Sequence, residues 1–196
     1  ESHQSSLRLF EEFELHPLSR KEVNEVISNG LEESNQRHPG MIPVKVDQKA
    51  MDTIFDWSEG YPHFVQQIGY SSFDANTDYT IDEKDVAEGF FGRHGALYLI
   101  GTRYYEDLYY KKINSEIYRE ILRIMANKWN DWISREEIKK SFTGKDFDLS
   151  NGLKVLKERG IILSKEGVRG QYRLQWASFA FWIKQSSSKK KLDSNQ

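Results

Sequence analysis

The 196-residue chain has no cysteine, which excludes disulfides and thiolate metal sites and suits a reducing compartment, so the expected location is cytoplasmic. Its five histidines are scattered without ligand spacing, and no metal is expected. No stretch approaches the roughly 18 consecutive apolar residues of a membrane span. Residues 1–15 alternate charged and apolar positions and lack the continuous apolar run of a signal peptide. Neither a membrane partner nor an export signal is therefore expected. Also missing are the phosphate-loop pattern GxxxxGK(S/T), a hydrophobic strand ending in paired acids, GxSxG and HExxH. No catalytic residue can be named, and the chain taken alone is not expected to be an enzyme.

What is present is an ordinary apolar content of 38%, enough to fill one large core or two small ones. The formal net charge of -2 conceals an uneven distribution. Residues 1–111 carry 10 Lys and Arg against 20 Asp and Glu, whereas residues 112–196 carry 18 against 10. Such an imbalance reads either as two domains with different partners or as two surfaces that attract each other.

Residues 1–15 read as an extended lead-in with Leu7, Leu9, Phe13 and Leu15 on one face. Residues 16–111 then read as four helices and no sheet. Ser19 and Glu22 form a capping box before the stripe Val23, Val26, Ile27, and Gly30 is a candidate stop. Asp47 opens a second helix carrying Ala50, Met51, Ile54, Phe55 and Trp57. Gly60 breaks it, and Pro62 suits the first turn of a third helix reaching Phe73. A fourth helical stretch starts at Ile81-Asp82 and keeps its rhythm through Leu108, although glycines interrupt it.

The pattern changes in residues 112–185. A helix is expected from about Ser115 to Asn127, a short strand at Trp132-Ile133, and a second helix from the capping box Ser134–Glu137 to Phe142. Asp148 is the expected cap of a third helix, Leu149–Arg159, with Gly160 as its stop. Strands at Ile161–Lys165 and Gln171–Gln175 and an aromatic helix at Trp176–Gln185 follow. Three helices before a β-hairpin is the order of a winged helix-turn-helix domain. Residues 186–196, serines followed by lysines, are expected to be a disordered tail.

Two segments are candidate sites. In Ser58–Phe64, Gly60, Tyr61, Pro62 and His63 place a helix start after a sharp turn. Unpaired amides and the helix dipole there favour a phosphate, and His63 could hydrogen-bond one. In the winged helix, Ser150, Asn151, Lys154 and Lys157 fall on the outer face of the third helix. Lys165, Arg169 and Arg173 place positive charge on or beside the wing. This set is the candidate surface for duplex DNA or a protein partner. The clusters Tyr104-Tyr105, Tyr109-Tyr110 and Trp176–Trp182 lack interleaved arginines and read as packing rather than base-stacking platforms.

The succession Phe13, Leu15, Pro17-Leu18-Ser19, Glu22, then Ser58-Glu59-Gly60-Tyr61-Pro62 with Phe64 and Gln66, then Asp82, Val86 and Gly89, resembles the C-terminal half of a bacterial or archaeal AAA+ ATPase of the Orc1/Cdc6-like or STAND-like group. Tyr104-Tyr105 through Tyr118, Ile121-Leu122 and Met125-Ala126, with Leu156 and Arg159–Ile162, is similar to the winged-helix junction of those proteins. The resemblance implies a mainly-α fold: a four-helix AAA+ lid-type bundle followed by a winged helix with a small β-hairpin. It implies a nucleotide-proximal Gly-x-Pro turn, with His63 where many members carry a sensor arginine. It further implies a chain that is a fragment, whose partner is a missing N-terminal P-loop core supplying ATP and Mg. The function so implied is a non-catalytic output module coupling nucleotide state to DNA or protein binding. The alternatives are a stand-alone winged-helix transcriptional regulator and a winged-helix protein-interaction module.

Overall fold

The computed structural model describes residues 16–129 and 131–193, with side chains to residue 187; the lead-in expected over residues 1–15 lies outside this range. Helix α1 (Arg20–Arg37) begins at the expected capping box, where Glu22 accepts the Ser19 amide at 2.7 Å. It does not stop at Gly30. A glycine inside a helix costs about 1 kcal/mol, and burial of Leu31 against the core beyond it sustains the helix. The loop that follows is closed by Asn35, whose side chain exchanges two 2.9 Å hydrogen bonds with the Val44 backbone.

Strand β1 (Lys45–Val46) then pairs in parallel with β2 (Thr80–Ile81), so this half does contain a small sheet. Two-residue strands are too short for alternation to reveal. Asp47 caps α2 (Gln48–Ser58) by accepting the Ala50 amide at 2.7 Å. Helices α3 (Pro62–Ala75), α4 (Glu83–Phe91) and α5 (Ala96–Ile100) complete the bundle. The single fourth stretch read from the sequence is thus divided at Gly92–Gly95. Beyond α5 the chain continues in wide π-helical turns, Gly101–Tyr105 and Asp107–Lys112. At their start a Cβ at residue 101 would lie 2.3 Å from the Trp182 ring, so Gly101 lets the backbone press onto that indole.

The second half follows the expected order: α6 (Glu116–Ala126), β3 (Ile133–Ser134), α7 (Arg135–Ser141), α8 (Asp146–Glu158), β4 (Ile162–Ser164), β5 (Gln171–Leu174) and α9 (Ala177–Asp193). The strands form an antiparallel sheet in the order β3-β5-β4. Helix α8 starts earlier than expected. Lys145 occupies its N-cap without a side-chain bond, and Asp146 and Asp148 lie in the first turn, where acids suit the helix dipole. Helix α9 runs past Gln185 to Asp193, through most of the segment expected to lack structure.

One hydrophobic core runs through both halves, from Val23 to Ile183. Helix α9 joins them. Phe179 and Trp182 pack on Tyr105, with ring centroids 4.8 and 6.0 Å away, while Phe181 meets Phe90 at 5.6 Å and Trp129 at 4.5 Å.

Candidate functional site

The turn between α2 and α3 is held by its own backbone, by Leu18 before α1, and by β5 and the start of α9. Glu59 (φ 49°) and Gly60 (φ 75°) are consecutive left-handed residues. Such a conformation costs an ordinary side chain about 1–2 kcal/mol. The Glu59 amide donates to the Phe55 carbonyl at 2.7 Å, and that of Tyr61 to Ser58 at 3.0 Å. The Leu18 amide, just before α1, donates to the Gly60 carbonyl at 2.8 Å. A Cβ at residue 60 would sit 2.0 Å from the Leu18 oxygen, so only glycine fits.

The strained Glu59 is fixed by residues more than a hundred positions away in sequence. One carboxylate oxygen accepts the Ala177 amide at the start of α9 at 2.7 Å, and the other lies 3.5 Å from the Arg173 guanidinium on β5. Burial pushes the Glu59 pKa up, against the downward pull of the Ala177 amide and of Arg173. The Gln175 amide donates to the Tyr61 hydroxyl at 3.3 Å, and the Tyr61 ring stands edge-on to Trp176. Beneath them the buried hydroxyls of Tyr105 and Ser178 are 2.6 Å apart. Burial raises the Tyr105 pKa far above the ordinary phenol value. The Gly-x-Pro turn and the exit of the wing therefore form one joint.

Pro62 occupies the first turn of α3 as expected. The amides of Phe64 and Val65 both donate to the Tyr61 carbonyl at 2.9 Å, so two of the donors expected to face a phosphate are already engaged. His63 is half-buried, its ring 5.2 Å from that of Tyr104. An open cleft of about 630 Å³ lies between Phe55, Asp56, Glu59, Lys128 and Trp129. Among the described residues no cluster of three or more acids and histidines is placed to hold a metal.

The winged-helix candidates divide. Ser150, Asn151, Lys154 and Lys157 are all exposed on α8. Ser150 accepts from Arg135 at 2.9 Å, and Lys154 stands 3.9 Å from Glu158. Lys165 and Arg169 are exposed on the wing, Lys165 over the Trp132 ring. Arg173 is turned inward, its guanidinium 5.3 Å from the centre of the same ring and paired with Glu59. Two residues escaped the sequence reading. Glu59 has its partners more than a hundred positions away, beyond any local signal. Phe147, 78% exposed, shares a helical face with Ser150, Asn151 and Lys154. Beginning α8 at Asp146 would have placed it there.

Comparison with known structures adds a likeness of fold. The sequence matches no family profile and no curated protein. The fold is similar to that of the Walker-type ATPase paby2304 of Pyrococcus abyssi, with a TM-score of 0.60 and 17% identity over 86% of this chain. The chain covers 42% of that protein's length. At this identity the likeness is one of fold. Among the described residues, no helix is long and apolar enough to cross a membrane.

Proposed function

We propose that the chain is the non-catalytic output module, a lid joined to a winged helix, of a P-loop ATPase of the AAA+ or STAND type. Its role is to couple the nucleotide state of a P-loop core to binding of DNA or protein. The observation that carries this reading is the Glu59 joint. The residue that sets the Gly-x-Pro turn also accepts the first amide of α9 and pairs with β5. A shift of the turn cannot occur without moving or breaking those bonds. The similarity of fold to part of a larger Walker-type ATPase is in keeping with this. In the complete protein, ATP and Mg belong to the core, with Gly60, Tyr61, Pro62 and His63 beside the phosphates.

The gene supplies one test. A GxxxxGK(S/T) motif encoded within about two hundred residues upstream of Glu1, a span set by ordinary domain size, supports the module. An upstream region without one overturns it. Calorimetry on the chain alone supplies another: no micromolar ATP binding is expected, and such binding would contradict the assignment of nucleotide contacts to the core.

A second reading is favoured by the outer face of α8, where Phe147, Ser150, Asn151, Lys154 and Lys157 are exposed together. In a free-standing regulator this face would enter a major groove, with Lys165 and Arg169 on phosphates. Duplex binding by the chain alone, sensitive to salt and lost in Lys154→Glu/Lys157→Glu, would favour it. Binding of neither nucleotide nor duplex, with recovery of a protein partner, would point to a protein-docking winged helix.

A further inference from the structure

A second polar site lies away from the Gly-x-Pro joint. Where the π-helical segment, α6 and α9 meet, a pocket of about 240 Å³ is lined by Tyr109, Tyr110, Arg119, Arg123 and the hydroxyl-bearing Ser186 and Ser187. Its one acceptor of full charge is Glu116. That carboxylate bridges both guanidinium groups, Arg119 through Nε at 3.1 Å and Arg123 through a terminal nitrogen at 2.5 Å. The other terminal nitrogen of Arg123 donates to the Tyr109 hydroxyl at 3.4 Å.

The inventory is dominated by donors. Two arginines bond one carboxylate, leaving one net positive charge, and two phenols and two serine hydroxyls line the same pocket. Among the described residues, neither terminal nitrogen of Arg119 makes a hydrogen bond, although the side chain is only 21% exposed. Glu116 itself is 68% exposed and can rotate into solvent without moving the backbone. Planar guanidinium forks match tetrahedral oxyanions through paired charge-assisted bonds. A volume below the usual 300–1,000 Å³ range of drug-sized ligand pockets suits a small group.

We infer that this pocket is a phosphate-binding site in which Glu116 acts as an internal plug, displaced when a phosphate group enters between Arg119 and Arg123. The inference is independent of the proposed ATPase role. A bound phosphate would tie α6 to α9, the helix that carries the wing's exit.

The test is a titration of the full chain with inorganic phosphate and, separately, with adenosine monophosphate. Chloride balances the ionic strength. Binding is followed by tryptophan fluorescence, because Trp182 lies 5.5 Å from Tyr109 and 6.0 Å from Tyr110 between ring centroids. Saturable binding is expected. Glu116→Gln should tighten it about tenfold, and Arg119→Gln or Arg123→Gln should weaken it at least about tenfold, the effect of one charge-assisted bond. Tighter binding of inorganic phosphate would identify a free oxyanion as the ligand, and tighter binding of the monophosphate a nucleotide. Absence of saturation, or a Glu116→Gln protein that binds no better than wild type, would overturn the inference. Because Glu116 is exposed, its variant keeps the test valid even if an arginine variant fails to fold.

Discussion

Glu59 and Gly60 carry more of the structure than their neighbours. Gly60→Ala adds a Cβ that meets the Leu18 oxygen at 2.0 Å in a left-handed conformation. A loss of roughly 3 kcal/mol or more is expected in denaturant unfolding. Glu59→Ala leaves the Ala177 amide and Arg173 without their carboxylate and should cost about 2–3 kcal/mol. Acidity separates this residue from a surface acid. Because the folded state raises the Glu59 pKa above the ordinary 4.5, it holds a proton that the unfolded chain releases. The Glu59 contribution therefore falls as pH rises from 4.5 through the folded value. Glu137, lowered to about 2 by the Ser134 amide and hydroxyl and by Lys128, behaves oppositely. Its contribution is full above 4.5 and disappears as pH falls to about 2. Melting temperatures of Glu59→Gln and Glu137→Gln against pH should diverge from wild type in these opposite senses. Gly60 and Pro62 were legible in the sequence because turn chemistry is local. The Glu59 carboxylate was not, because its partners come from β5 and α9.

Among the elements, those with chemical punctuation are legible in the sequence. The capping boxes at Ser19 and Ser134 and the Asp47 cap mark helix starts because their side chains bond the first free amides. Where punctuation conflicts with packing, packing prevails. Gly30 did not end α1, where Leu31 packs against the core beyond it, and Asp148, a good cap by type, lies in the first turn of α8, which starts at Asp146. The π-helical turns had no sequence signal beyond Gly101, whose close contact, the Trp182 ring, lies more than eighty residues away. Gly101→Ala should force that ring and the backbone apart, lowering stability by about 1–3 kcal/mol. The loss should appear in the near-ultraviolet dichroism of Trp182 as well as in the melting temperature.

For the molecule as a whole, the opposite charges of the two halves read either as two domains with different partners or as two surfaces that attract each other, and a single apolar core runs through both halves. Charge is a property of the surface and says little about which apolar faces meet. Calorimetry should accordingly show one cooperative transition, with equal calorimetric and van't Hoff enthalpies. Two resolved transitions would mean that the α9 contacts do not bind the halves together. Coupling between the Gly-x-Pro turn and the wing is best measured by amide hydrogen exchange on the longer nucleotide-binding protein in which this module is proposed to act, with ATP and with ADP. Protection of residues 61–65 and of residues 171–178 is expected to change together between the two nucleotides. In Glu59→Ala the change should be confined to the turn. A turn that responds to nucleotide while the wild-type wing does not would contradict the role proposed for this joint.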